Sequence, residues 1–274
     1  MSSFTTSDGL KLHYEDTGEG LPILCLAGLT RTTRDFDYVT PHLPNNRLIK
    51  LDYRGRGQSE WASDFKTYAV PVECRDILEL MAHLSLAQTA IIGTSRGGIN
   101  AMGVAAAQPD AVLGVALNDV GPVIETSGLE VIMGYLGRNP AAKTFEDLAN
   151  AMQHISPGFA NMPEGRWLNE AKMHYTQGKD GLQITYDPKL RDAILPALEA
   201  PAPNLWPYFD ALAGKPLALI WGANSDLLTA DTVTAMQDRR PDMILAKVPD
   251  RAHIPFLDEP ASLVALNAWL EKMA

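Results

Sequence analysis

The sequence predicts an α/β protein: a doubly wound, mostly parallel β-sheet with helices on both faces and one helical insertion. Three observations predict it. Short apolar, β-prone runs alternate with helix-period segments along most of the chain. The alternation breaks once, between residues 121 and 203, where helix-like pieces follow one another, interrupted by Pro and Gly. It then resumes and continues to the C-terminus. At 274 residues the chain is long enough to bury a sizeable core without covalent staples.

Taken in order, residues 4–6 and 10–14 flank Asp8-Gly9 and read as an antiparallel hairpin at the sheet edge. Residues 21–27 form a buried strand, 33–43 a short helix and 47–51 a strand. Residues 72–84 are helical, with Ile77, Leu80, Met81 and Leu84 at three-to-four spacing. A strand over 88–92, a helix reaching Ala107 and a strand over 111–117 complete the first half. Helical pieces follow at 128–137, 145–154, 167–175 and 189–198, with few strand signals. The second half of the sheet comes from strands at 217–221 and 243–248, each followed by a helix, at 229–239 and 261–272. The expected organisation is a core of residues 1–121 and 204–274 and a helical cap at 122–203.

Composition narrows the classes. The apolar fraction, 46%, is ordinary for a globular protein. Two cysteines make no disulfide framework, and Cys25, in Leu24-Cys25-Leu26, reads as a core residue. No Cys/His cluster suggests a metal. The first residues carry neither a basic nor an apolar leader pattern, and no stretch approaches 18 uninterrupted apolar residues, so a soluble, cytoplasmic protein is expected. A net charge of −10 argues against nucleic acid and anionic membranes as partners. Oligomeric state is left open.

The most informative residues are Gly93-Thr94-Ser95-Arg96-Gly97. They read G-x-S-x-G after an apolar β-prone run and before a helix-like run, the context of a nucleophile elbow. Such a turn presents the Ser95 hydroxyl at the sheet edge. It also aims the Arg96 N–H, at a helix N-terminus, towards an anion formed beside it. Ser95 then needs a base, and the base an orienting carboxylate. Of six histidines, His13, His42, His83, His154 and His174 fall on an edge strand or helical pieces. His253 follows the last strand, at the carboxyl edge of the sheet where sites assemble.

The order of these pieces resembles the α/β-hydrolase superfamily over nearly the whole chain. Leu26-Ala27-Gly28-Leu29 stands where that family has His-Gly-x, with Ala27 replacing the histidine. Asp52-Tyr53-Arg54-Gly55-Arg56-Gly57-Gln58-Ser59 resembles its D-x-R-G-x-G-x-S turn, read as scaffold. Val248-Pro249-Asp250-Arg251-Ala252-His253 resembles its terminal histidine loop. The resemblance implies Ser95 as nucleophile, His253 as base, an oxyanion hole from the Leu29 and Arg96 amides, and no cofactor.

For the acid, Asp226 follows the strand ending at Trp221-Gly222, the commonest position in the superfamily. The usual Gly-x-x-Asp spacing there holds a serine, Ser225, and Asp226 is one residue late. Asp119 ends the preceding core strand, 24 residues after Ser95. In both respects the chain resembles the branch of small bacterial acyl esterases and thioesterases, and the amide hydrolase of pyridoxine breakdown. Asp119 is therefore favoured, with Asp226 the alternative.

The expected activity is hydrolysis of an ester, thioester or lactone of a small carboxylic substrate. Carbon–carbon bond or amide hydrolysis on the same triad is the alternative, and a non-catalytic small-molecule receptor the rival from another class. A serine at position 95 disfavours dehalogenase and epoxide hydrolase chemistry, which use aspartate there. Arg31, Arg34 and Arg96 lie near the motifs. At least one is expected to face the pocket and favour a substrate carboxylate; the competing expectation is that they are solvated or pair with Asp35 or Asp37.

Overall fold

The computed structural model describes residues 2–199 and 203–273. In chain order these form strands β1 (Ser2–Thr5), β2 (Lys11–Thr17), β3 (Leu21–Leu26) and β4 (Asn46–Leu51), helix α1 (Val70–His83), strand β5 (Thr89–Thr94), helix α2 (Arg96–Ala107) and strand β6 (Val112–Asn118). Helices α3 (Thr126–Tyr135), α4 (Phe145–Ile155) and α5 (Arg166–His174) follow. Next come strands β7 (Tyr175–Gln177) and β8 (Leu182–Ile184) and helices α6 (Leu190–Glu199) and α7 (Trp206–Asp210). The chain closes with β9 (Leu217–Gly222), α8 (Ala230–Arg239), β10 (Ile244–Val248) and α9 (Pro260–Glu271).

Eight strands make one sheet in the order β1-β2-β4-β3-β5-β6-β9-β10. β1 and β2 run antiparallel to their neighbours and the other six are parallel. The expected α/β class, with a mostly parallel sheet, holds. Alternation along the strands makes two cores. Leu24, Leu26, Ile91 and Leu117 face one side, with Ile77 and Leu80 of α1 and Met102 and Val104 of α2. Ile23, Cys25, Ile92 and Ala116 face the other, with Leu266 and Trp269 of α9. Period-two strands between two helical layers bury both faces, which is why the strands read as nearly unbroken apolar runs.

Register positions the functional edge. Thr94 on β5 pairs with Asn118 on β6, Asn118 with Ile220 on β9, and Gly222 with Val248 on β10. These strands therefore end nearly level, and the loops after them open side by side.

The region between β6 and β9 holds α3 to α7 and has small cores of its own. Leu136, Tyr186 and Leu190 cluster with Tyr68, and Leu148, Ala171 and Leu182 pack α4 against α5. Residues 200–202, at the expected end of the insertion, lie outside the described residues.

Two local expectations are corrected, and one short helix has no counterpart in the sequence reading. Residues 33–43 are not one helix but two 3₁₀ turns, Thr33–Phe36 and Thr40–His42. Pro41 removes a donor, and the Thr33 N–H is taken by the Asp52 carboxylate at 2.7 Å. The insertion carries a hairpin, β7–β8, where helix was expected to reach Tyr175. Gly178-Lys179-Asp180-Gly181 turns it, with the Gly178 N–H donating to the Gly181 carbonyl at 2.9 Å. The five residues of α7 are too few to show a helical period. No helix among the described residues is long and apolar enough to cross a membrane.

Trp269 on α9 is fully buried, and its indole N–H donates to the Pro216 carbonyl at 3.1 Å. Trp269→Ala should cost about 3–5 kcal/mol, by lost burial plus the cavity left. Urea unfolding, followed by circular dichroism, should show the midpoint falling at unchanged slope.

Candidate active site

Ser95 lies between the last residue of β5 and the first of α2 with φ 51° and ψ −115°. That conformation is costly for a non-glycine residue and survives only where the surroundings impose it. Here the Ser95 N–H donates to the Asn118 carbonyl at 3.0 Å, and the Ser95 carbonyl accepts from Gly98 and Ile99. A Cβ on Gly93 would stand 2.6 Å from the Gly97 carbonyl oxygen, and one on Gly97 would strike the Leu26 carbonyl. The two glycines let strand, helix and neighbouring strand approach this closely.

Ser95 and His253 are half-buried. His253 Nε2 lies 2.9 Å from Ser95 Oγ, and Nδ1 lies 2.8 Å from Asp119 Oδ2. Asp119 is fully buried at the end of β6, with φ 54°. Its Oδ1 accepts from the Gly222 N–H at 2.8 Å, and its Oδ2 also accepts from Ser225 Oγ at 2.7 Å. Ser225 Oγ itself accepts from the Leu227 and Leu228 amides at 3.3 and 3.1 Å. A carboxylate so supplied with donors is held in one orientation.

The structure thus brings Ser95, His253 and Asp119 together. Asp226, the alternative acid, is exposed; its carbonyl accepts from Ser127 Oγ at 3.2 Å, and Ser225 occupies the inward place. His13, His42, His83, His154 and His174 have other partners or positions: His13 Nδ1 meets the Ser2 carbonyl and His154 Nδ1 the Asn150 carbonyl.

Asn118, which carries no motif of its own, joins three loops. Its Nδ2 donates to Thr94 Oγ1 at 3.2 Å and to the Pro255 carbonyl at 3.0 Å. One amide therefore links the elbow, the acid's strand and the histidine loop. Its place directly before Asp119 is the signal that could have found it.

The loop after β3 abuts Ser95. A Cβ on Gly28 would stand 3.9 Å from Ser95 Cβ and 3.3 Å from Arg31 Cγ. The Leu29 amide follows on that loop. The Arg96 amide is the first of α2 and so has no intrahelical acceptor.

The three arginines part company. Arg96 turns inward, its Nε donating to Glu73 Oε2 at 2.8 Å, and does not present its guanidinium as an open anchor. Arg34 donates to the Lys172 carbonyl at 2.8 Å and lies 3.7 Å from Asp37, half-exposed at the surface. Arg31 keeps 29% of its side chain exposed and makes one long hydrogen bond, Nη1 to Glu170 Oε2 at 3.4 Å, with Asp35 at 3.7 Å. Burial works to lower its pKa, but the Asp35 and Glu170 carboxylates outweigh it and hold the guanidinium charged.

Glu170 and His174 on α5, unmarked in the sequence, complete this patch. His174 Nε2 lies 3.3 Å from Glu170 and 3.5 Å from Asp35. Burial works to raise the Glu170 pKa, but His174 and Arg31 bring it down to about 2. Arg166, also on α5, pairs with Asp258 and stacks over Tyr38 at 3.8 Å. Through these contacts α5 is fastened to the core beside the site. Among the described residues no group of three or more His, Cys, Asp or Glu could hold a metal.

Comparison with known proteins agrees with this architecture. Residues 22–260 match the family model described as alpha/beta hydrolase fold. The chain is 38% identical to a 3-hydroxybutyrate-oligomer hydrolase of Cupriavidus necator, over 88% of this chain and 85% of that one. It is 25% identical to a 2-(acetamidomethylene)succinate hydrolase of Mesorhizobium japonicum, over 94% and 90% respectively. Among solved structures, an alpha/beta hydrolase from Novosphingobium aromaticivorans superposes with a TM-score of 0.92 at 37% identity, covering 99% of this chain and 97% of that one. The chain belongs to the alpha/beta hydrolase fold family and is a hydrolase.

Proposed function

We propose that the chain is a serine hydrolase that cleaves an ester of a small carboxylic substrate through an acyl-enzyme. The observation that carries the reading is the pair of hydrogen bonds Ser95 Oγ to His253 Nε2, 2.9 Å, and His253 Nδ1 to Asp119 Oδ2, 2.8 Å. In this reading His253 takes the Ser95 proton as Oγ attacks the acyl carbonyl. Asp119 fixes the tautomer and stabilises the imidazolium. The Leu29 and Arg96 amides hold the oxyanion of the tetrahedral intermediate. His253 then gives its proton to the leaving alcohol, and water attacks the acyl-enzyme by the same route in reverse.

Arg31 supports a substrate that itself carries a carboxylate. Its stem lies against the oxyanion loop, its guanidinium is charged, and Glu170 is its one hydrogen-bond acceptor among the described residues. The two relatives above are named for a hydroxybutyrate oligomer and a succinate, both carboxylic acids. An ester joined to a short acid, of the kind a hydroxy-acid oligomer provides, fits both the nucleophile and the guanidinium.

A fluorophosphonate probe should label the wild-type protein, and Ser95→Ala should abolish both labelling and most hydrolysis with unchanged circular dichroism; labelling that survives the substitution would remove the serine mechanism. A panel of p-nitrophenyl esters, acyl-thioesters and lactones should show esters turned over best.

Asp119→Asn should lower kcat by roughly 10³–10⁴-fold, the scale set by the equivalent change in serine proteases, because the amide favours the wrong histidine tautomer. Asp226→Asn should stay within about threefold of wild type, since an exposed carboxylate outside the site gives up little. Steady-state kinetics on one ester decides between them, and the opposite ranking would move the acid to Asp226.

Arg31→Met should lower kcat/KM for a monoester of a dicarboxylic acid by about 10–100-fold, the worth of a charge-assisted bond. The loss for the matching neutral diester should be several-fold smaller. Equal losses on both esters would leave Arg31 a structural residue.

A further inference from the structure

We infer that Glu73, on α1, is a positioning residue for the oxyanion hole: it bridges Arg56 and Arg96 and so ties together the two peptide segments that supply the oxyanion donors. The inference rests on the reading of the Leu29 and Arg96 amides as those donors.

The bridge is continuous. Arg56 Nε donates to the Leu29 carbonyl at 3.0 Å, on the residue whose own N–H is the first donor. Arg56 Nη2 lies 2.9 Å from Glu73 Oε1. Glu73 Oε2 accepts from Arg96 Nε at 2.8 Å, and Arg96 supplies the second N–H. Asn100, one turn along α2, donates to the same Oε2 at 3.0 Å. Arg56 Nη1 donates to the Arg54 carbonyl at 2.7 Å, which anchors the guanidinium in its turn.

Burial makes this a fixed strut. Glu73 and Arg56 are fully buried, and Arg96 keeps only 13% of its side chain exposed. Burial works to raise the Glu73 pKa, but the charges of Arg96 and Arg56 and the bonds from Arg96 and Asn100 leave it at about 2, so the carboxylate is ionised wherever the protein is folded and active. Ion pairs without water hold their geometry, because loosening either one strands a charge in a low-dielectric interior.

The β3–β5 pairing and the close packing of Gly97 on Leu26 bring the two segments side by side, and the strut ties their side chains together beneath that contact. Leu29 lies on the loop after β3, whereas Arg96 opens a helix two strands' worth of chain away. Donors must sit within a few tenths of an ångström of where the oxyanion forms to act on the transition state and not on the ground state. The unit also holds two guanidinium charges against one carboxylate. It therefore leaves one net positive charge in the interior behind the donors, of the sign that favours an oxyanion.

The test is Arg96→Met, which leaves Glu73 balanced by Arg56 and bonded to Asn100, so no buried charge is orphaned. Active sites are first counted by fluorophosphonate titration. Wild-type enzyme that fails to react with that probe sinks the serine mechanism itself, separately from this inference. With active sites counted, kcat for an ester should fall about 10–100-fold at nearly unchanged KM, a fraction of the loss on deleting one donor outright. Affinity for a trifluoromethyl ketone, which forms a tetrahedral adduct, should fall in step with kcat/KM, whereas affinity for the carboxylic acid product should not. Arg56→Met, which leaves Glu73 balanced by Arg96, should show the same pattern from the other end of the strut. If that variant does not fold, Arg96→Met decides alone. Arg96→Met enzyme with kcat and trifluoromethyl ketone affinity within threefold of wild type overturns the inference. So does a loss confined to the number of titratable sites, which marks a purely structural role.

Discussion

The Asp119 carboxylate is the interaction on which the rest of the site's geometry depends. Both of its oxygens are spoken for: Oδ1 by the Gly222 amide, Oδ2 by Ser225 and His253. A carboxyl group sealed from water is stable only when its oxygens are bonded. That requirement is met by the end of β9, by the loop after it and by the histidine loop. The register between β6 and β9 sets Asn118 beside Ile220 and so delivers Gly222 to the carboxylate. The same register logic on the other side of β6 sets Asn118 beside Thr94 and delivers Ser95. A slip of one residue in either pairing would turn the side chains to the opposite face and take the contact apart.

Beneath this edge lies a layer of buried charge that serves the loops and not the triad itself. Asp52 accepts from the Thr33 and Gln58 amides at 2.7 and 3.0 Å, and Arg54 pairs with the fully buried Asp76. Burial raises the Asp52 pKa, and the two backbone bonds oppose it. Such groups add little net stability compared with an apolar core of the same shape, because desolvation offsets most of the attraction. What they contribute is a single arrangement of the turn after β4, which then presents Arg56 to the loop carrying Leu29. The contacts of this turn with Thr33 and Asp76 are those of scaffold, as its motif implies.

Legibility in the sequence follows the range of the forces involved. The parallel strands were readable because burial on both faces leaves unbroken apolar runs, and the elbow because its crowded backbone demands glycine at 93 and 97. The contact between Asp119 and His253 was readable through one spacing, Gly222 to Ser225, which leaves Asp226 a residue too far along. The hairpin at 175–184 was hidden because its strands are three residues long and its first follows a helix without a break. Glu73 was hidden for a different reason. It lies on an amphipathic helix between apolar positions, where a glutamate is normally solvated, and only the arrival of Arg56 and Arg96 from elsewhere in the chain explains it. Glu170 and His174 are separated by one helical turn, but their partners Arg31 and Asp35 stand more than 130 residues away. No local pattern encodes an encounter of that length.

β6 and β9 are neighbours that end level, so side chains placed just past the two strands meet. In this chain β6 provides the carboxylate and the loop after β9 provides a hydroxyl bonded to it, at positions 119 and 225. The two positions are thus adjacent addresses at one sheet edge. The paired arrangement of Asp119 and Ser225 lets two separate strands contribute to one polar cluster without any irregularity in their pairing.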